Sequence, residues 1–359
     1  MTPLSRFAAV AAFLLVVPDL AAQPWTSGRP DGHAPIGVMG DHTHGGQEAM
    51  VSLRTMWMPM EGSRIGTTSI ADELVVASTM VDGDTFPGQG FTVTPSKMPM
   101  RMDMLGVMVA PTRRITIMAM VPYVTYSMDH KTRASVAADP DAVAFSTESS
   151  GLGDVSLTAL VLLAEPERQR IHAGLGVSLP TGSIDATDDT PMGADQQLPY
   201  PMQQGTGSVG LRPSLTYLGQ SDRLGWGAQA RLAVQVGEND RSYTVGPKGG
   251  LTAWGSAVLN EILSASVRVD GQAWSDIDGA DPAYAMAVAT RFVPTVFPDL
   301  RAGERVDVSV GLNGSLGDGP LAGLRAAVEV GVPVYQRLDG PQLETDLVVT
   351  IGAQYAFDL

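Results

Sequence analysis

The sequence predicts an all-β fold, a closed antiparallel transmembrane β-barrel of about 12 strands, and three observations carry that prediction. Apolar residues recur at every second position rather than every 3.6, the period of a strand with one oily and one polar face. The alternating segments run to about ten residues or more, longer than the ~5–6 of soluble sheets and enough for a tilted bilayer crossing. The connections alternate between tight and long, which gives short periplasmic turns and long extracellular loops.

Composition sets the outer bounds. The chain has 359 residues, 44% hydrophobic and 17% charged, with Gly 40 and Pro 25. It is too apolar for a disordered chain and too rich in glycine and proline for a helical enzyme. A net charge of −15 argues against nucleic acid as a partner, because phosphates would repel it. Without cysteine there is no disulfide scaffold, thiolate metal site or cysteine nucleophile.

In chain order, residues 1–22 read as a secretory signal: Arg6, an apolar run from Phe7 to Val17, Pro18, then Ala21 and Ala22. That run is too short to span a bilayer, and no later stretch reaches the ~18 apolar residues of a membrane helix. Residues 23–46 read as a periplasmic lead-in and 47–359 as the barrel.

The last segment shows the alternation best, with Leu343, Leu347, Val349, Ile351, Ala353, Tyr355 and Phe357 opposite Glu344, Asp346, Thr350, Gly352 and Gln354. The same count places strands near 47–60, 98–110, 114–127, 151–164, 169–180, 206–219, 223–237, 248–260, 262–275, 301–316, 321–335 and 342–359. Tight connections fall at 111–113, 165–168, 220–222, 261 and 317–320, and the long ones at 61–97, 128–150, 181–205, 238–247 and 276–300. A shorter loop at 336–341 completes the set. An even strand count leaves both termini on the periplasmic side.

A β-sandwich would carry many Lys and Glu on its polar face, whereas this face is Gly, Ser, Thr, Gln and sparse charge. A propeller would show a blade-length repeat, which is absent. An open sheet edge in lipid would leave backbone groups unpaired, so the sheet must close.

The predicted inner face carries Arg54, Arg212, Arg231, Arg268 and Arg325 together with Asp154, Asp270, Asp307, Glu329, Glu344 and Asp346. These either pair across the lumen and stiffen it, or line a selective channel.

Methionine gathers on the first three strands: Met56, Met58 and Met60; Met98, Met100, Met102, Met104 and Met108; Met118 and Met120. Parity turns all three stripes inward and leaves Arg101 and Asp103 outward, near the outer rim. Thioether sulfur suits a soft ion such as Cu(I) or Ag(I), a flexible methionine wall suits apolar or aromatic molecules, and methionine also simply fills irregular space. His42 and His44, in Asp41-His42-Thr43-His44, form a His-x-His pair able to present two imidazoles to a metal. His130 is a further candidate ligand in the loop after the third strand, at the opposite end of the barrel. His172 points inward as a hydrogen-bonded filler.

Several segments resemble a known family: APIGVMGDHTH at 34–44, VAPTRRITIMAMVP at 109–122, SSGLGDVSL at 149–157, LPTGSID at 179–185, LPYPMQ at 198–203, GQAWSDIDGAD at 271–281 and PVYQRLDGPQLETD at 333–346. Together they are similar to proteobacterial outer-membrane transporters resembling the phenol-degradation meta-pathway transporter family. The resemblance covers nearly the whole mature chain, and extends to Met-x-Met runs and an Asp-His-x-His lead-in whose third position here is Thr43. It implies a β-barrel and a transport role.

The expected function is therefore an outer-membrane barrel that passes a small hydrophobic or aromatic compound, or a soft metal ion such as copper. Its substrate-facing residues would be Met56, Met58, Met60, Met100, Met102, Met104, Met118, Met120, Arg54, Arg212, Arg231 and Arg268. A barrel enzyme of lipase or protease type and a non-conducting structural or adhesive barrel are the alternatives. No enzyme activity and no cofactor are expected. The expected partners are outer-membrane lipid, the substrate and the barrel-assembly machinery.

Overall fold

The computed structural model describes residues 26–77, 88–133, 144–317 and 319–359. The signal at 1–22 and the first residues of the lead-in lie outside the described residues. The wall consists of twelve antiparallel strands. They are β1 (Glu48–Met58), β2 (Met100–Thr112), β3 (Ile115–Thr132), β4 (Ser156–Ala164), β5 (Gln169–Ser178) and β6 (Val209–Gln220), followed by β7 (Leu224–Val236), β8 (Lys248–Val258), β9 (Leu263–Trp274), β10 (Gly303–Ser315), β11 (Leu324–Thr345) and β12 (Val348–Asp358).

Each strand pairs with the next in sequence, and β12 closes on β1 through Leu53 opposite Ala353 and Val51 opposite Tyr355. No strand edge in the ring is left to face lipid, which is the condition for crossing a bilayer with strands. The 11 residues of β1 extend about 36 Å at ~3.3 Å per residue, and at a tilt of ~45° they span roughly the 25 Å apolar band of such barrels.

Side-chain parity gives the wall its two faces. Leu53, Leu105, Leu175, Leu215, Val267, Val310, Val330 and Ile351 are all exposed on the outside, an oily belt that only lipid could cover. Ser52, Thr116, Thr158, Thr216, Gln229, Thr252, Ser266, Ser309 and Gln354 are buried on the inside. Arg101 and Asp103 do face outward: they pair with each other at 3.0 Å, and Arg101 lies 6.0 Å from the ring of Trp57. A salt bridge beside an interfacial aromatic belongs at the edge of the band, not in its centre.

The tight turns fall on the same end as the start of β1 and the end of β12. On the other end the wall rises above the band. β3 has 18 residues, and its outer part pairs with Val93–Lys97 on one side and Phe145–Leu152 on the other. The chain predicted to turn at 336–341 instead stays extended to Thr345, where it pairs with the short strand Met60–Gly66. Above the lipid, apolar parity no longer marks the outside. Leu343, expected to face lipid, accordingly packs inward against methionines, and Glu344 binds Arg64 at 2.6 Å.

Candidate functional site

The main departure from the sequence reading is the lead-in. Residues 26–46, expected to lie in the periplasm, run into the periplasmic half of the bore. Ala34, Ile36, Val38, Asp41, His42, Thr43 and His44 are all buried there. Side chains of the wall seize the segment's backbone. Ser315 and Ser264 donate to the carbonyls of Gly28 and Pro30 at the rim, and Arg325 donates to that of Ala34 at 2.6 Å. Arg54 donates to Ile36 and Val38 at 3.1 and 3.0 Å, Gln229 to Met39 and His172 to Gly40, both at 2.9 Å. The lead-in has no regular structure of its own, so its polar backbone groups need such partners once water is gone. At its deepest point Gly37 lies so close to the Arg268–Glu329 pair that a Cβ would sit 2.5 Å from the Glu329 carboxylate.

Within this segment the described residues bring three histidines and a carboxylate together. His42 Nδ1 lies 2.9 Å from Asp41 Oδ1, and His42 Nε2 lies 3.2 Å from His44 Nε2. The His33 ring packs on that of His42 with centroids 4.2 Å apart. Burial, aided by the nearby His42, pushes the His44 pKa down to about 3, and burial likewise holds His33 well below its usual value. Burial alone would raise Asp41, but His42, His33 and Arg325 outweigh it and hold its carboxyl well below the usual range. His130 is elsewhere, stacked on Phe145 at 4.6 Å in the outer part of β3.

The predicted methionine wall divides into two. Met56, Met58, Met60 and Met100, expected to face substrate, pack with Met98, Met102, Met128 and Met202 into an apolar cluster across the outer end of the bore. Leu198 and Met202 reach that cluster from the loop between β5 and β6, which folds inward. Gln203 ties the loop by accepting from the Ala186 amide and donating to the Leu198 carbonyl, and Tyr284 donates to Leu198 from another loop. Gly182 and Gly205 touch backbone to backbone where this loop meets the wall; a Cβ on Gly205 would lie 2.3 Å from the Gly182 carbonyl.

Between the lead-in and this outer cap lies a cavity of about 600 Å³. Met102, Met104, Met118 and Met120 line one side, and Arg212, Arg231, Lys248 and Arg268 line the other. Arg231 pairs with Asp270 at 2.8 Å and Arg268 with Glu329. Among the described residues Arg212 makes no ion pair, and Lys248 lies over the Trp274 ring at 5.4 Å. Asp154, the lining carboxylate, is engaged by the backbone N–H groups of Gly182 and Thr206. The cavity thus joins a soft apolar wall to a wall with surplus positive charge. Arg54 is not part of it, because the lead-in covers that side chain.

Sequence reasoning missed Lys248, Met202 and His33. Lys248 opens a strand and shares the inward parity of Thr252 and Ser256, a signal that alternation offered. Met202 and His33 lie on segments without alternation, so no periodic signal could have pointed to them.

The comparisons agree with this architecture. The structure is similar to an outer membrane channel from Pseudomonas putida F1, with a TM-score of 0.58, 11% identity, and coverage of 89% of this chain and 98% of that one. A Pseudomonas aeruginosa FadL homologue (TM-score 0.42, 13% identity, 93% and 99% covered) and the transport unit of the autotransporter AIDA-I from Escherichia coli (0.48, 8%, 92% and 99%) are less similar. No curated protein matches the sequence. The fold is that of a bacterial outer-membrane barrel, and residues 108–313 match the profile of a single family. With more than half of its length matched, the chain belongs to the family described as the MetA-pathway of phenol degradation.

Proposed function

We propose that the protein is an outer-membrane channel for a small hydrophobic or aromatic compound bearing negative charge, and that it is not an enzyme. The observation that carries this reading is the two-sided lining of the central cavity. Polarizable methionines adapt to varied apolar bodies, while Arg212 and Lys248 line the cavity without an ion pair among the described residues. A volume of about 600 Å³ falls in the range of sites for small organic ligands. A barrel-enzyme reading finds little support: His172 gives its Nε2 to the Gly40 carbonyl, and His130 is tied to the backbone of Met128 and Phe145. The lipid of the outer membrane would surround the belt, and insertion would proceed through the barrel-assembly machinery.

Liposome swelling tests the proposal. Benzoate-sized aromatic carboxylates should enter faster than neutral sugars of similar mass, and a double Arg212→Gln, Lys248→Gln variant should lose most of that preference. Equal entry of sugar and aromatic anion, or a preference indifferent to both substitutions, would refute it. Titration with Cu(I) and Ag(I) tests the soft-ion alternative. Saturable binding that vanishes when Met102, Met104, Met118 and Met120 are changed to Leu would favour it.

A further inference from the structure

The histidines of the lead-in make a second site, independent of the cavity's cargo. The geometry points to a transition-metal site in which His42 and His44, completed by His33, hold one Zn(II) or Cu(II) ion and staple the lead-in inside the barrel. His42 supplies the first ligand. Its Nδ1–H donates to Asp41 at 2.9 Å, which fixes the tautomer and leaves a lone pair on Nε2. A carboxylate behind a ligating imidazole is the usual outer-shell partner of such a ligand, orienting the ring and raising its basicity. Asp41 is itself held in place, because its other oxygen accepts the Ala34 amide at 3.0 Å.

His44 supplies the second ligand. Its Nε2 lies 3.2 Å from that of His42, while its Nδ1 lies 3.6 Å from the Glu48 carboxylate. Two nitrogens each ~2.0–2.1 Å from a tetrahedral ion are separated by about 3.3–3.4 Å, so this spacing is already close to one edge of a coordination tetrahedron. His33 comes from the other limb of the segment. Among the described residues its Nδ1 is buried with no hydrogen-bond partner, and its ring packs edge-on against that of His42 with centroids 4.2 Å apart. Its ligand atom lies within 4.8 Å of those of His42 and Asp41 but is not grouped with that of His44, so completing the site takes a turn of the His33 side chain. Imidazole nitrogens select zinc and copper over magnesium or calcium, which prefer oxygen.

The consequence is mechanical. His33 precedes, and His42 and His44 follow, the loop whose carbonyls are held by Arg54, Arg325, Gln229 and His172. A metal joining the two limbs closes that loop covalently in effect and fixes the shape that fits the bore. Loss of the metal would leave the loop held by hydrogen bonds alone.

The test uses the full mature protein, purified without a histidine tag, stripped with a chelator and titrated with zinc chloride or copper sulfate. One equivalent should bind saturably. A His42→Ala, His44→Ala variant should lose at least 100-fold in affinity and His33→Ala about tenfold, whereas His130→Ala should bind as the parent does. Heat-modifiable migration establishes that each variant is a folded barrel. The Cu(II) form of the parent should show nitrogen hyperfine structure from two or three imidazoles by electron paramagnetic resonance, a readout that needs no variant. Binding that survives the double substitution, or a copper spectrum without imidazole nitrogen, overturns the site. Because solute flux is not measured, these results are separate from success or failure of the channel reading.

Discussion

Replacing Arg54 by methionine should free the lead-in while leaving the barrel intact. Arg54 is 5% exposed and donates through Nη1 to the carbonyls of Ile36 and Val38 at 3.1 and 3.0 Å. Each hydrogen bond from a charged group contributes about 1.5–3 kcal/mol, so the pair amounts to roughly 3–6 kcal/mol. Burial of the guanidinium offsets part of this, and a net loss of about 2–3 kcal/mol follows. At ~1.4 kcal/mol per factor of ten, the ratio of docked to undocked lead-in then falls by about two orders of magnitude. The wall itself should not notice, because the backbone at position 54 still pairs with Gly352 and Met104. Single-channel recording should show a larger or more frequent conductance, and a periplasmic-side protease should cut within residues 26–46 of the variant but not of the parent. Unchanged conductance and unchanged protection in a properly folded variant would refute the argument that Arg54 is a clasp for the lead-in.

Other consequences follow from the same geometry. His33 and His44 are held neutral when docked, with folded pKa values below their unfolded ones, so their contribution is complete above about pH 6.5 and is lost as pH falls toward the folded values. With chelator present, moving from pH 6.5 to 5.5 should weaken docking by about 2 kcal/mol for the two groups and raise conductance; a channel indifferent to that step would contradict the burial of both rings. Gly205→Val should push the loop between β5 and β6 off the outer end, since even a Cβ would meet the Gly182 carbonyl. Faster hydrogen exchange at 198–204 is the expected sign. Tyr284→Phe removes the donor to the Leu198 carbonyl and should loosen the same loop by about 1 kcal/mol, read by the same exchange measurement.

What was legible in the sequence was whatever lipid enforces. A strand between hydrocarbon and a polar bore must alternate, so every predicted strand has its counterpart in the wall, and even Arg101 and Asp103 lie where parity put them. Legibility fails where water replaces lipid. Leu343 turns inward above the band because the outside there no longer rewards an apolar side chain. It fails again inside. The polar character of Arg54, Arg325, Gln229 and His172 was visible, but their partner is a stretch of backbone carbonyls, and a carbonyl leaves no trace in a sequence. The lead-in read as periplasmic because it is polar and has no period; burial of such a segment depends on a complementary wall whose donors lie from 16 to 291 residues away.

Transport through the cavity requires one of its two seals to give way, and their chemistry differs. The outer seal is a cluster of methionines and Leu198 braced by loops, and it is continuous with a wall that Met60–Gly66 and β11 extend by strand pairing. Opening it exposes apolar surface to water. The inner seal is a segment without secondary structure, held by side-chain donors on its carbonyls. Water can replace each of those hydrogen bonds at a net cost of only about 0.5–1.5 kcal/mol, or somewhat more where the donor is charged. The lead-in is therefore the seal that can be loosened one hydrogen bond at a time, and a metal on its histidines would act on the same loop that those bonds hold.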